Sequence, residues 1–423
     1  MIVIEFKLKG KDKQFRIVDE MIRTAQFVRN KALRYWSDNS CVKLSDLYKQ
    51  CAVLAHEFEW AGKLNSMARQ AAAERAIFAI QRFFANCKAK RSQQLHPGGN
   101  LPDCLRAPGK KGYPQFKKQT RSVEYKTSGW KLSKDKKHIT FTDGFAAGSF
   151  RLVGTRDLHF YAPQEIKRVR VVRRADGYHV QFCVANERVE ESVPTGIAIG
   201  IDVGLNHFYT DSKGQTVANP RHLRKSEKAL KRVQRQVSKR KKGSNNRRKA
   251  IKRLGKKHLK VSRQRKDFAI KTALCVVKSS DFVAYENLQV KNMVKNRRLA
   301  KSISDAALAA LLPRTRSRHA CKRSQFTSWL QYLGKVYGKV IVAVPPQYTS
   351  QSCSQCGEIV KIALSVRTHV CKCGSVLDRD YNAALNILAR GLKQYPGALG
   401  NFNAWGQTDL CFVSESLQDK LTG

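Results

Sequence analysis

A chain of 423 residues with 42% hydrophobic content has room for two or three domains and a sizeable core, which excludes a peptide or a wholly disordered tail. Lysine and arginine number 81 against 32 aspartates and glutamates. A compact fold holds the resulting formal charge of +49 only against a polyanion, either nucleic acid or an anionic membrane. No apolar run approaches the roughly 18 residues that span a bilayer, and Met1 to Lys13 lacks the apolar core of a secretory signal. Membrane spanning and export are therefore not expected. Of the twelve cysteines, those scattered along the chain read as reduced thiols of a cytosolic protein. The four between Cys353 and Cys373 read as a metal site.

In chain order, Met1 to Phe15 alternates apolar and polar residues and predicts a strand. Helical spacing follows over Asp19 to Trp36, Leu44 to Glu57 and Met67 to Lys90, with arginines opposite the apolar side of the last. A Pro/Gly/Lys-rich loop spans 95–118, and strands are expected at Ile139 to Phe141, Ser149 to Val153, Val169 to Val172 and Tyr178 to Ala185. This order describes an α+β multidomain chain that opens with a β-barrel-like module (1–18 and 96–190) holding an inserted helical subdomain (19–95). A composition shift over Glu187 to Pro194 marks the boundary. Beyond it, Ile197 to Ile201, Phe208 to Thr210 and Val217 to Ala218 form the three-strand meander with which RNase H-like domains begin. Asp281 to Tyr285 and Lys339 to Val344 are further strands, and a helix from Tyr381 to Arg390 is expected to close at Gly391. These give an RNase H-like α/β domain over 195–349 and 376–392. The tail 393–423 lacks periodicity and is expected to be disordered.

Arg221 to Asp267 holds 22 lysines and arginines against two acids. Its apolar positions keep helical phase on both sides of Gly243-Ser244-Asn245-Asn246, which predicts a basic helical hairpin over 221–267 rather than a disordered charge run. Charge this dense on one hairpin calls for phosphates. Its candidate nucleic-acid contacts are Arg235, Lys239, Arg240, Lys241, Lys242, Arg247, Arg248 and Arg263.

Because acids are scarce, an acid that ends an apolar strand is informative. Asp202 ends Ile197-Ala198-Ile199-Gly200-Ile201, and Glu286 ends Phe282-Val283-Ala284-Tyr285. Asp380 stands at the start of the last helix, where free N–H groups and the helix dipole favour an anion. Each alone has a structural explanation, Asp380 as a helix cap above all. Together, clustered carboxylates repel one another and need a cation between them. Two Mg²⁺ ions meet that need and suit phosphodiester hydrolysis, so Asp202, Glu286 and Asp380 are the candidate catalytic and magnesium-binding residues.

Cys353-Ser354-Gln355-Cys356-Gly357 is one metal knuckle and Cys371-Lys372-Cys373-Gly374 a second, with 14 residues between Cys356 and Cys371. The pair predicts a zinc ribbon over 350–375, one structural Zn²⁺ on Cys353, Cys356, Cys371 and Cys373, because so short a segment has no core of its own. The second knuckle is C-x-C, one residue short of the usual C-x-x-C. His369 is an alternative fourth ligand.

These motifs, with Pro345-Pro346-Gln347-Tyr348-Thr349-Ser350-Gln351 and Asp378-Arg379-Asp380-Tyr381-Asn382-Ala383-Ala384, resemble the TnpB family, transposon-encoded proteins akin to compact type V CRISPR effectors. The likeness covers about residues 195–392 in detail and the first 190 in layout. It implies an RNA-guided DNA endonuclease with a RuvC-like domain that carries a transposon-derived guide RNA and cuts matching double-stranded DNA beside a short motif. It also implies that the β module is a wedge, that the inserted helices are a recognition part, and that one chain works with one RNA in the prokaryotic cytoplasm, at the nucleoid. Two other readings stand beside it: an RNA-guided DNA-binding repressor without cleavage, and a strand-joining transposase. The chain departs from the family pattern in a basic insertion at 306–325, read either as a nucleic-acid-touching loop or as a scar.

Overall fold

The computed structural model describes residues 2–94, 112–154, 158–185, 188–288, 293, 296, 300–305, 325–363 and 366–395. Most of the expected loop at 95–118, the basic insertion except Gln325, and the tail beyond Tyr395 lie outside them. The chain divides into two compact units, Met1–Glu187 and Arg188–Gly423.

In the first unit, β1 (Ile2–Lys9) leads into four helices, α1 (Asp12–Asp38), α2 (Leu44–Glu57), α3 (Glu59–Gly62) and α4 (Ser66–Gln94). Strands β2 (Ser122–Tyr125), β3 (Trp130–Leu132), β4 (His138–Phe141), β5 (Gly148–Val153), β6 (Ile166–Arg174) and β7 (Gly177–Val184) then complete a seven-stranded sheet in the order β2-β6-β7-β1-β5-β4-β3. All its ladders are antiparallel. The sheet is an open half-barrel: β1 pairs with β7 over Ile2–Lys7 and with β5 over Lys7–Lys9, so it is the strand about which the sheet turns. Ile2, Ile4, Phe6 and Leu8 point into a core shared with Val18, Met21, Val28, Ala72 and Ala76 of the helices.

The first helix starts at Asp12, seven residues before the periodicity suggests. Gln14 accepts the Lys11 N–H (2.8 Å) and donates to the carbonyls of Ala147 and Ser149, which caps the helix and pins its start to the sheet. Phe15 therefore does not extend the strand but stacks on Tyr178, ring centroids 4.7 Å apart. Strands β2 and β3 are too short to show alternation in the sequence. A buried charge network ties helices to sheet: Tyr48 and Lys126 donate to Glu74, and Arg168 bridges Glu74 and Glu124 at 3.0 and 2.7 Å. Glu74 and Glu124 resist burial because these donors hold both carboxyls below the usual range.

The second unit holds β8 (Ala198–Asp202), β9 (His207–Asp211), β10 (Thr216–Ala218), α5 (His222–Lys239), α6 (Asn245–Ser279), β11 (Phe282–Glu286), α7 (Ala300–Asp305), α8 (Gln325–Val336), β12 (Val340–Val344), the β13–β14 ribbon (Thr368–Val370 and Val376–Asp378) and α9 (Arg379–Gln394). Its sheet runs β10-β9-β8-β11-β12, with β8, β11 and β12 parallel and β9 and β10 antiparallel. Strand alternation sends Ile199, Ile201, Val283 and Tyr285 to one face, against Ala269, Ala273 and Val276 of α6 and Phe326 and Leu330 of α8. Ala198, Ala284 and Val344 go to the other, against Ile387, Leu388 and Leu392 of α9.

The second arm of the hairpin continues past Asp267 to Ser279; its composition turns apolar there because that end packs on the sheet. Gly391 does not close the last helix, which runs on to Gln394. A Cβ at 391 would lie 2.5 Å from the Ala284 Cβ, so this glycine is what lets α9 approach the strands. Among the described residues no helix is long and apolar enough to cross a membrane.

Candidate carboxylate site and four-cysteine module

Ile201 pairs with Tyr285 across the parallel β8–β11 ladder, so Asp202 and Glu286, one step further on, end adjacent strands abreast. Both belong to the alternation set that faces α9. That face is lined with small residues. A Cβ on Gly200 would meet the Ala384 carbonyl oxygen at 2.2 Å and the Leu388 nitrogen at 2.6 Å, so helix and strand backbones touch there. Such an approach brings the first turn of α9, with Asp380, to the strand ends. Glu286 is buried, while Asp202 and Asp380 keep part of their surface open.

Burial pushes the Asp202 carboxyl well above the usual range, and the negative charges of Glu286, Asp380 and Asp378 push it further, against Arg379. Burial also raises Glu286, against a hydrogen bond from Thr349 and the charge of Arg390. The structure thus sets Asp202 and Glu286 on adjacent strand ends and leaves Asp380 within electrostatic reach of Asp202. It assigns the cap of α9 to a fourth: Asp378 Oδ1 accepts from the N–H groups of Asp380 (2.9 Å) and Tyr381 (3.1 Å), so Asp380 lies inside the helix and its carboxylate is not used as a cap.

Sequence reasoning gave no role to several residues around this site. Thr349 Oγ1 donates to Glu286 Oε1. Arg367 lies 3.4 Å from both carboxylate oxygens of Asp380. Asn382, fully buried, accepts from the Ser354 N–H (2.9 Å) and donates to the Ser352 carbonyl (2.8 Å). Asn386 donates to the carbonyls of Ser352 (2.7 Å) and Thr349 (3.0 Å). Thr349 and Asn382 carry one signal, their placement within the quoted motifs; Arg367 and Asn386 lie outside them, and polar residues amid apolar helical positions look alike whether they bind a ligand or a backbone.

The sulfur atoms of Cys353, Cys356, Cys371 and Cys373 lie within 4.8 Å of one another. Cys353 and Cys373 are 3.7 Å apart, and Cys356 and Cys371 3.5 Å. Sulfurs at the corners of a tetrahedron with 2.3 Å arms are about 3.8 Å apart, so the set has the dimensions of a closed zinc site. Both knuckles turn back on themselves: the Cys353 N–H donates to the Glu358 carbonyl and the Cys371 N–H to that of Ser375. The second turn is one residue tighter, with Gly374 in the left-handed region (φ +89°), and so accommodates C-x-C. Crowding splits the thiols. Cys353, although burial opposes it, is pulled down to about 6 by the Cys356 and Gln355 N–H groups, while Cys371 is driven up to about 12 beside its neighbours. Such a split is what a cation would relieve. His369 is fully buried and stands outside the four-sulfur group.

On the hairpin, Arg235, Lys239, Lys241, Lys242, Arg248 and Arg263 are exposed and Arg240 is half-buried. Arg247 is held inward, its Nη1 donating at 2.8 Å to the carbonyls of Val237 and Arg240 and so closing the end of α5. At the other end, Asp305 accepts from the Leu223 and Arg224 N–H groups and pairs with the buried Arg265 at 2.8 Å, fastening both arms to α7.

The architecture defines an α+β fold resembling Cas12f: a solved Cas12f1–sgRNA–target DNA complex aligns over 89% of this chain and 83% of its own, with a TM-score of 0.51 at 15% identity. Residues 181–297 match the OrfB_IS605 family model, "Probable transposase", and residues 324–387 the "Cas12f1-like, TNB domain" model. A Streptomyces pristinaespiralis protein named "Putative RNA-guided DNA endonuclease" is 31% identical over 75% of this chain and 71% of its own length. The InsQ protein of Escherichia coli K12, which bears the same description, is 28% identical over 66% and 68%. The chain belongs to the TnpB family.

Proposed function

We propose that this protein is a transposon-encoded, RNA-guided DNA endonuclease that hydrolyses phosphodiesters at Asp202, Glu286 and Asp380. The observation that carries the reading is the convergence of these three acids, two with raised pKa values, at the ends of parallel strands beside the α9 N-terminus. Several acids elsewhere have partners that hold them below the usual range, as Arg265 does for the buried Asp305 and Lys339 for the half-buried Asp281, while Asp143, raised by burial, has the Tyr125 hydroxyl as its partner. A cluster whose members repel one another is suited to divalent cations, and its hard oxygen donors fit Mg²⁺. A bound Mg²⁺ pair activates water and stabilises the leaving oxygen. Asp202 and Glu286, fixed on adjacent strands, would hold the ions abreast, and Asp380 would close the set from the helix.

The strand order, three antiparallel followed by two parallel, is the RNase H-like arrangement, so 195–349 and 376–392 are read as the RuvC-like domain. The segment 350–375 is read as a zinc ribbon whose Cys₄ set holds one structural Zn²⁺. The half-barrel is the wedge and α1–α4 the recognition part. Together with the basic hairpin they hold guide RNA and target DNA, the partners named for the Cas12f1 complex. Base pairing would then read the target while the protein grips backbones, which accounts for the +49 charge.

The test is Asp202→Ala, Glu286→Gln and Asp380→Ala in the complex with the RNA that co-purifies. Each is expected to lower cleavage of a matched plasmid in Mg²⁺ by at least about a hundredfold while guided binding stays near wild type. Cleavage by Asp202→Ala within tenfold of the parent would sink the assignment. A parent that binds its guided target without cutting would instead be a repressor.

A further inference from the structure

We propose that Thr349 is a positioning residue for Glu286, fixing through its hydroxyl the carboxylate that the strand end alone leaves free to rotate; this rests on the nuclease reading above. Glu286 ends β11, and its side chain has three torsions to settle. The Thr349 hydroxyl, on a residue 3% exposed, donates to Oε1 and so fixes the rotation of the carboxylate and with it the place of Oε2. Thr349 is itself held. Asn386 of α9 grips its carbonyl at 3.0 Å and the Ser352 carbonyl at 2.7 Å, so hydroxyl, helix and first cysteine knuckle are joined through one side chain.

The backbone is bent for this purpose. Tyr348 adopts φ +60°, a left-handed conformation that a bulky residue takes only when its surroundings impose it. Its carbonyl accepts from the N–H groups of Gln351 and Ser352, so the turn both starts the cysteine module and aims Thr349 at Glu286. A threonine retained merely to fill space could be replaced by valine. One that orients a ligand carboxylate could not, and the loss of such an outer partner costs about 10–100-fold in metal affinity.

The experiment uses the full zinc-loaded chain freed of nucleic acid, with Mn²⁺ alone as the probe, read by electron paramagnetic resonance of the free ion. Binding that depends on the site is defined as that lost in Asp202→Ala. Thr349→Val and Thr349→Ala are each expected to weaken it by about tenfold or more, with zinc content unchanged, and Thr349→Ser to restore most of it. The Mg²⁺ concentration for half-maximal cleavage by the guided complex should rise in parallel. Unaltered Mn²⁺ binding in the valine and alanine variants overturns the proposal, as does a serine variant no better than valine. If valine perturbs folding, alanine, which adds no atoms, carries the test. Mn²⁺ binding that Asp202→Ala leaves untouched would refute the carboxylate site itself, a different result from one in which only Thr349 proves dispensable.

Discussion

At the scale of single residues, the acids whose titration the fold shifts are of two kinds. Glu74, Glu124, Asp281 and Asp305 are held low by lysine, arginine or N–H partners, whereas burial drives Asp202 and Glu286 high, and also Asp143 despite the hydrogen bond from Tyr125. For the second kind the folded chain binds more protons than the unfolded one between the ordinary carboxylate value and the raised one. Stability is therefore greatest at the acid end of that window and falls as pH rises through it. Without metal, the melting temperature of the parent relative to Asp202→Asn should decline as pH climbs from about 4.5 toward 7, and added Mg²⁺ should flatten the decline. A difference that does not change with pH would mean Asp202 is not under this repulsion. Asp378→Ala belongs to the same scale. It removes the cap of α9, costs about 1 kcal/mol of stability, and should lower cleavage far less than Asp380→Ala. Equal losses would remove the distinction between the two aspartates.

At the scale of elements, the site depends on how closely α9 lies against β8 and β11. Gly200→Ala places a methyl group against backbone atoms that cannot yield, so α9 must move and take Asp380 with it. The expected result is a loss of about 1–3 kcal/mol in stability together with loss of cleavage, measured by thermal melting and plasmid cutting. Unchanged cleavage would mean the approach is not needed. The cysteine module reaches the same helix through Asn382 and Asn386. Cys353→Ser or Cys356→Ser should therefore release one zinc per chain and lower target engagement and cleavage; a parent without zinc by elemental analysis would end that claim. Much of this scale is legible in the sequence. The strands that end in Asp202 and Glu286 stand out because each apolar run stops at an acid, and the paired knuckles because cysteine spacing is local. The role of Thr349, the cap on Asp378 and the helix contact at Gly200 are not legible, because each depends on a partner distant in sequence. The early start of α1 was hidden by the same kind of contact, Gln14 binding carbonyls more than 130 residues away.

At the scale of the whole molecule, the proposed function sets a charge of +49 against phosphates, and the hairpin is where that can be measured. Lys239, Lys241 and Lys242 are exposed at its turn and Arg240 half so, whereas Arg247 is engaged with the carbonyls of Val237 and Arg240. The structure therefore separates two kinds of basic residue that the sequence presents alike. Changing Lys239, Arg240, Lys241 and Lys242 together to Ala removes up to four counterion-releasing contacts and should flatten the salt dependence of guided binding by up to about 3 units of slope if each meets a single-stranded phosphate. Arg247→Ala should leave that slope nearly unchanged and lower thermal stability instead, because it opens the end of α5. Neither variant should alter which target is chosen, since phosphate contacts position the complex while paired bases specify it. Binding measured across a salt series on matched and mismatched targets decides between the possibilities. An unchanged slope in the fourfold variant would make the hairpin turn a merely solvated surface, and a changed target preference would make it a reader of bases.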